Sequence, residues 1–286
     1  MDKYHTPLFA AEIVALLQAH NCKIVVDGTC GEGGHTLAFL KAGMQVIPMD
    51  YDTRLIERAQ SRLNKEGFGE TKVQRGNFAQ MQDVVRRSGH GLVDAVLFDV
   101  GISLHHIKAL KKGFSFENSE PLDMRADSSA VETASDYINK LNEDELYELI
   151  ATGSEITSSR RLAHLIIERR GRESDPLTTV GDLRMIVKQL GYSDKEENMI
   201  LARLMQAFRI TVNNELGSLK EGLMQASELV RSGGLVITIT FHSLEDRLVK
   251  LYFKKRSDFS AALAKPHRNI DLPFAESAQL RVYAKQ

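Results

Sequence analysis

The stretch VVDGTCGEGGHT, residues 25–36, constrains the fold of this chain more than any other. Two β-branched residues and Asp27 lead directly into a loop that contains four glycines, and a helical pattern follows. This order predicts a strand, a tight turn and a helix. Glycines let backbone N–H groups approach a ligand, and the start of a helix favours negative charge. The stretch therefore predicts a ligand loop at the carboxyl end of a first strand, where open α/β sheets bind ligands.

Strands and helices alternate along the first part of the chain. Strand patterns occur at residues 23–26, 45–49, 72–74 and 94–98, and helical patterns separate them. Such alternation predicts parallel β-α-β units whose sheet is covered on both faces. We therefore predict an α/β fold with a doubly wound, Rossmann-like sheet.

The alternation stops after residue 102, where helical patterns joined by polar loops take over. We interpret residues 103–200 as an inserted helical domain that recognises the substrate, between sheet-domain parts at 1–102 and 201–286. The second part is expected to start with one long helix at 201–231, followed by a Ser-Gly-Gly turn and a strand from residue 235.

Composition narrows the class of protein. A chain of 286 residues that is 43% hydrophobic can bury a large core. Its apolar runs are too short to span a bilayer and its first residues lack signal-peptide features, so we expect a cytoplasmic protein without a membrane partner. Cys22 and Cys30 have no ligand-like spacing to other Cys or His residues, and we therefore expect no disulfide and no metal. The formal charge of −1 still allows a local basic surface for nucleic acid.

The spacing of the loop favours one cofactor. A nicotinamide fingerprint needs a third glycine where this chain has Thr36, and a phosphate-binding P-loop needs a lysine that is absent. Asp27 before the glycines and Asp50 at the end of the second strand are typical of S-adenosylmethionine sites. Asp50 can accept hydrogen bonds from both ribose hydroxyls. Asp99 ends the fourth strand at the same edge, although each of these residues alone would also suit a turn or a cap.

Several separate stretches resemble one family. They are HTPL at residue 5, DGTCGEGGHT at 27, LFDVGIS at 97, KGFSF at 112, EPLDMRAD at 120 and ITFHSLEDRLVK at 239. In order and spacing they are similar to the bacterial methyltransferases that modify the N4 amine of a cytosine in the decoding region of 16S ribosomal RNA. The resemblance runs through nearly the whole chain and implies a class I S-adenosylmethionine-dependent methyltransferase sheet. Differences in some motifs make the chain a divergent member.

The loop pattern and the resemblance together give the candidate cofactor residues. His106 stands where the family has a glutamine. The cofactor candidates are Asp27, Gly31, Gly33, Gly34, His35, Asp50, Phe78, Asp99 and His106. The candidates for substrate contact, from the insertion motif, the later helical motif and the segment after the fifth strand, are Asp123, Met124, Arg125, Arg209 and Ser243.

The resemblance also suggests where the chemistry takes place. An exocyclic cytosine amine is a poor nucleophile, so methyl transfer depends mainly on alignment and on acceptors for its N–H bonds. The candidate catalytic residues are Asp99, Ser103 and His242, with Ser243 as a possible second contact. For His242, a structural role bonded to Glu245 or Asp246 is an equal alternative.

The implied partner is small-subunit ribosomal RNA or the 30S particle, and a homodimer stays open. Two arginines of the family's C-terminal segment are absent here, and the basic run at residues 247–268 is either a replacement phosphate surface or a solvated face. Two alternatives remain for the function: a methyltransferase for another RNA or substrate, and a ribosome-binding protein that has lost activity.

Overall fold

A computed structural model describes residues 4, 6–101, 111–115, 119–127, 130–172, 176–268 and 277–286. The chain divides into two compact units. The sheet unit consists of Met1–Gly101 and Leu216–Gln286, and the helical unit is Ile102–Glu215. The helical segment thus extends to Glu215, beyond the expected end at residue 200.

The sheet unit contains one mixed sheet. Its strands in the described part of the chain are β1 (Ile24–Asp27), β2 (Gln45–Asp50), β3 (Gln74–Arg75), β4 (Val93–Asp99), β5 (Val230–Thr240), β6 (Phe259–Ala261), β7 (His267–Arg268) and β8 (Gln279–Lys285). The spatial order is β3-β2-β1-β4-β5-β8-β6, and β7 also pairs with β8. Strands β1 to β5 run parallel, whereas β8 is antiparallel to β5, β6 and β7. The order reverses between β1 and β4, which is where such sheets bind ligands.

Helices cover both faces of this sheet. The helices of the described residues are α1 (Ala10–Ala19), α2 (Gly34–Lys41), α3 (Thr53–Lys65), α4 (Met81–Arg87), α5 (Ala134–Lys140), α6 (Glu143–Ser154), α7 (Ser159–Arg172), α8 (Val180–Lys188), α9 (Asp194–Val212), α10 (Glu215–Leu229) and α11 (Ser243–Lys254). In β4, Val96 and Phe98 join a core with α4, α10 and α11, whereas Ala95 and Leu97 join a core with α1 and α2. The doubly wound α/β prediction is therefore confirmed.

The expected long helix at residues 201–231 was wrong. The structure has two helices, α9 and α10, and the chain turns at Asn213 and Asn214 between them. Asn214 takes a left-handed conformation with φ 46°. Asparagine tolerates this conformation better than most residues, and its side chain competes for backbone groups, so the helical pattern is interrupted there.

The expected turn at residues 232–234 lies inside β5. Val230 pairs with Val93 and Leu235 pairs with Ala95, so four residues of β5 lie opposite Asp94 alone. The Asp94 carboxylate accepts hydrogen bonds from the backbone N–H groups of residues 23 and 24, at 2.7 Å each, and from Arg231. This anchor keeps the irregular segment within the sheet.

The helical unit has a separate hydrophobic core. Residues of α5 to α9 form it, including Ile138, Leu146, Leu183 and Phe208. Helices α6 and α9 approach closely at Gly153, which has no side chain. A Cβ atom there would lie only 2.8 Å from Ala207. Among the helices that the structure describes, none combines the length and the apolar character of a membrane-spanning segment.

Candidate active site

The glycine loop after β1 is held against the end of β2. Gly31 and Gly33 have φ values of 54° and 76°, which glycine adopts without a steric penalty. The Gly31 N–H donates to Asp50 Oδ2 at 2.8 Å, and the Cys30 N–H donates to the Met49 carbonyl at 2.9 Å. A Cβ atom on Gly34 would lie 3.1 Å from Pro7. The loop is therefore compact, and α2 starts directly behind it.

Asp50 has the features of a hydroxyl acceptor. Its residue is only 6% exposed, and its Oδ1 accepts the Asp52 N–H at 2.9 Å while Oδ2 accepts the Gly31 N–H. A carboxylate accepts hydrogen bonds and donates none, so Asp50 has the chemistry to bind ligand hydroxyls. The backbone donors thus fix the carboxylate in place for a diol.

Asp27 supports the loop from inside. It is fully buried, and the Thr36 hydroxyl donates to its Oδ2 at 2.6 Å. Its Oδ1 has no hydrogen-bond partner among the described residues. Burial raises the pKa of Asp27, although His35 and the Thr36 hydroxyl oppose this effect. Asp27 therefore links β1 to the first turn of α2.

His35 and Asp99 meet at the ends of α2 and β4. His35 is 5% exposed, and its Nε2 lies 3.5 Å from Asp99 Oδ2. The Asp99 N–H donates to the Thr29 hydroxyl at 2.6 Å. Asp99 Oδ1 is buried without a hydrogen-bond partner among the described residues, although the whole side chain is 27% exposed. Thr29 thus holds the backbone of Asp99, and His35 faces one oxygen of its carboxylate.

Phe78 contributes an aromatic surface near the same loop. It opens a short 3₁₀ helix, Phe78–Gln80, and the Asn77 side chain caps it by accepting the Ala79 N–H at 2.9 Å. Its ring packs edge-to-face on Phe98, with 5.4 Å between centroids. A Cβ atom on Gly28 would lie 3.4 Å from the Phe78 Cβ. The Phe78 Cβ therefore lies beside the first residue of the loop, and its half-buried ring packs against Phe98 and Gly222.

His242 lies beyond β5 as the N-cap of α11. Its Nδ1 accepts the Glu245 N–H at 3.3 Å, and its Nε2 lies 3.0 Å from Glu245 Oε1. Glu245 is fully buried, and its Oε2 accepts the backbone N–H groups of Phe241 and His242 at 2.8 and 3.2 Å. Both ring nitrogens thus face Glu245, as in the structural alternative. Ser243 is exposed at the first position of α11.

The helical unit brings its substrate candidates together. Arg125 donates through Nε and Nη2 to the two Asp123 carboxylate oxygens, at 2.8 and 2.9 Å. Burial raises the pKa of Asp123, but the Arg125 hydrogen bonds and the Lys112 charge outweigh it and lower the pKa below its usual range. Met124 between them is buried and left-handed, with φ 57°. Arg209 forms a two-bond pair with Glu215, at 2.9 Å for each bond.

Asn213 connects these residues, and sequence reasoning missed it. Its Nδ2 donates to the carbonyls of Met124 and Arg209, at 2.8 and 2.9 Å, and its Oδ1 accepts the Ala126 N–H at 2.9 Å. The Asn-Asn pair at the end of a helical pattern was the signal available for it. Thr29 was missed as well, because a loop threonine carries no distinctive pattern. Ser103 and His106 lie outside the described residues.

Comparison with known proteins gives consistent relatives. Ribosomal RNA small subunit methyltransferase H of Deinococcus radiodurans is 36% identical over 283 residues, covering 97% of this chain and 88% of the relative. The protein of that name from Thermotoga neapolitana is 34% identical over 290 residues, covering 97% and 95%. The one from Bartonella henselae is 38% identical over 254 residues, covering 88% and 71%.

A solved rRNA methylase from Streptococcus thermophilus has a TM-score of 0.45 and 12% identity, covering 94% of this chain and 95% of that chain. That likeness carries no argument. The model of the MraW methylase family matches residues 2–280. Together with relatives at 34–38% identity, this match confirms the family and the enzyme class expected from the motifs. The chain belongs to the MraW methylase family.

Proposed function

We propose that this methylase transfers a methyl group from S-adenosylmethionine to the N4 amine of a cytosine in the decoding region of 16S ribosomal RNA. Its relatives carry the name ribosomal RNA small subunit methyltransferase H, which supports the class of RNA. The observation that carries the proposal is Asp99 at the carboxyl end of β4, whose buried Oδ1 has no hydrogen-bond donor among the residues that the structure describes. An amine with two N–H bonds is a suitable donor.

The residues of the sheet unit fit S-adenosylmethionine. Asp50 would accept the ribose hydroxyls, the backbone of the loop at Gly31 to Gly33 would lie against the amino-acid part, and Phe78 would pack on the adenine. When bound, the cofactor supplies a methyl group activated by its positively charged sulfur. The carboxylates at this edge of the sheet accept hydrogen bonds and carry negative charge. They suit a ligand with hydroxyl groups, amines and a positive charge.

Asp99 would prepare the amine for attack. Its Oδ1 accepts one N–H bond of the amine, which fixes the direction of the nitrogen lone pair. When the amine nitrogen takes the methyl group, the sulfur–methyl bond of the cofactor would break and S-adenosylhomocysteine would leave. The N–H becomes more acidic as the N–C bond forms, and the Asp99 carboxylate would take its proton.

Two neighbours would hold Asp99 in that orientation. The Thr29 hydroxyl binds its backbone N–H, and His35 Nε2 faces the second carboxylate oxygen at 3.5 Å. With an N–H at Nε2, His35 would lie against Oδ2 and restrain the rotation of the carboxylate. His35 therefore acts as a positioning residue.

Product analysis tests the proposal. The protein is incubated with methyl-labelled S-adenosylmethionine and either small ribosomal subunits or free 16S RNA from cells that lack its gene. After digestion, mass spectrometry should find the label in N4-methylcytidine. Label in another nucleoside would refute the assigned amine, and cofactor binding without any transfer to either substrate would support a binding protein that has lost activity.

Two variants test the role of Asp99. Asp99→Asn should lower kcat by roughly 10²- to 10⁴-fold, the range typical of a general base. His35→Gln should lower kcat less and change its pH profile, because the carboxylate loses its fixed partner. Both should leave the KM for RNA within a few-fold. Equal kcat values in wild type and Asp99→Asn would contradict the mechanism.

A further inference from the structure

The outer face of α11 is basic along its length. Arg247, Lys250 and Lys254 are exposed and follow one another at spacings of three and four residues, so they form one stripe. Lys255 is exposed directly after the helix. The opposite face is buried and apolar, with Val249 and other residues in the core. The stripe is therefore on the solvent side of the helix, beside the exposed Leu251, and it rises about 10 Å from first to last residue.

The acidic residues in and directly after α11 are either paired with arginines or buried. Residues 243–268 contain seven Lys and Arg and three Asp and Glu, a formal charge of +4 in a chain of −1. Asp246 is held by Arg281 at 2.6 and 2.8 Å, and Asp258 by Arg256 at 2.8 and 2.6 Å. Glu245 is fully buried. No acidic side chain of this segment thus offsets the exposed lysines.

The positive charges of those lysines are not neutralised by acidic side chains in the described part of the chain. Lys250, Lys254 and Lys255 form no ion pair within the ranges that the structure describes. Exposed cations on ordinary surfaces are commonly interspersed with acids, which lowers the local potential. A stripe with one sign of charge instead attracts a polyanion over a distance of about 10 Å, the screening length at moderate salt.

A second basic element lies at the same edge of the sheet. In β7, Arg268 pairs with Gln279 of β8, and Gln279 pairs with Thr240, the last residue of β5. Asp99 at the end of β4 pairs with Ile239, one residue earlier in β5. Arg268 is therefore at the carboxyl edge, two strand spacings or about 10 Å from the end of β5. The start of α11 follows this edge within three residues of Thr240.

We propose that the stripe on α11 together with Arg268, here called the basic face, binds the sugar-phosphate backbone of RNA next to the target base. This inference rests on the proposed function for the identity of the base but not for the surface itself. Contacts from Lys and Arg to phosphates supply sequence-independent affinity and set the register of the nucleic acid. The basic face starts where the base is methylated, so a strand lying along it would present a neighbouring nucleotide to Asp99.

The test compares two double variants of equal charge. Lys250→Glu/Lys254→Glu alters the basic face, and Lys23→Glu/Lys65→Glu is the control on exposed lysines elsewhere in the sheet unit. RNA binding is measured by fluorescence anisotropy with 16S RNA fragments at several salt concentrations. The basic-face variant should lose at least tenfold in affinity, and its slope of log K against log salt should fall by about 1.4 for two single-strand contacts.

Two further readouts make the result decisive. The Kd for S-adenosylmethionine should match wild type, because the altered lysines lie outside the candidate cofactor site. A Lys250→Gln/Lys254→Gln variant, which removes the two charges without reversing them, should show a smaller loss of RNA affinity. It serves as a control for a folding defect in the glutamate variant. The proposal is overturned if both double variants lose RNA affinity equally, or if the basic-face variant loses binding only to phosphatidylserine vesicles or to acidic proteins. Because anisotropy needs no methyl transfer, failure of the proposed reaction leaves this test intact.

Discussion

Asp50→Asn gives the most direct test of the cofactor site. In the variant, one carboxylate oxygen becomes an NH₂ group that faces a backbone N–H, of either Gly31 or Asp52. One ribose acceptor is lost as well, and the other loses its charge. Hydrogen bonds to charged groups contribute about 1.5–3 kcal/mol each. Two such losses at the lower value give about 3 kcal/mol, which corresponds to a rise of roughly 100-fold in the Kd for the cofactor.

Isothermal titration calorimetry with S-adenosylhomocysteine measures this change. A matched analogue without the two ribose hydroxyls separates the ribose contact from a general disturbance of the loop. Wild type should bind the analogue weakly, and Asp50→Asn should bind it nearly as weakly as wild type does. Asp83→Asn, which removes one exposed charge on α4, is the control and should leave the Kd unchanged. An equal loss for both ligands in Asp50→Asn would refute the assignment of Asp50 to the ribose.

Two further predictions concern stability. The pKa of Asp27 is raised in the folded state, so its protonation stabilises the fold fully below the usual Asp pKa of about 4. This contribution to the free energy of unfolding is lost as the pH rises through the pKa of Asp27 in the folded protein. In urea unfolding of the ligand-free protein, this decline should disappear in Asp27→Asn; identical pH profiles would contradict it. Asn213→Ala removes three hydrogen bonds, so we expect a loss of about 2–3 kcal/mol in the free energy of unfolding. Asn198→Ala, an exposed control, should cost less than about 0.5 kcal/mol, and equal losses would disprove the bridging role.

Much of the candidate cofactor site could be predicted from the sequence, because the residues that form it are close together along the chain. The glycine spacing, Asp27 and Asp50 lie within 24 residues of one another, at the ends of the first two strands. Parallel strands bring their carboxyl ends to one edge, so alternation alone places these residues together. The basic run at residues 247–268 was also visible as composition, although its geometry was not.

Long-range contacts explain what the sequence left open. The break between α9 and α10 involves a hydrogen bond to a residue far away in sequence, because the Asn213 side chain donates to the Met124 carbonyl. Hydrophobic periodicity continues through such a break, and so one long helix was expected at residues 201–231. The place of residues 232–234 within β5 likewise depends on Asp94, which is far away in sequence.

The sequence by itself determined the family, the sheet and the position of the glycine loop, because strand-loop-helix patterns and motif spacing are local properties of the chain. The tertiary structure decided how the site residues are engaged. It places His35 3.5 Å from Asp99, turns both ring nitrogens of His242 toward Glu245 and pairs Asp246 of α11 with the distant Arg281. The physical reason is that hydrogen bonds and ion pairs form between groups brought together by packing, which separation along the chain does not encode.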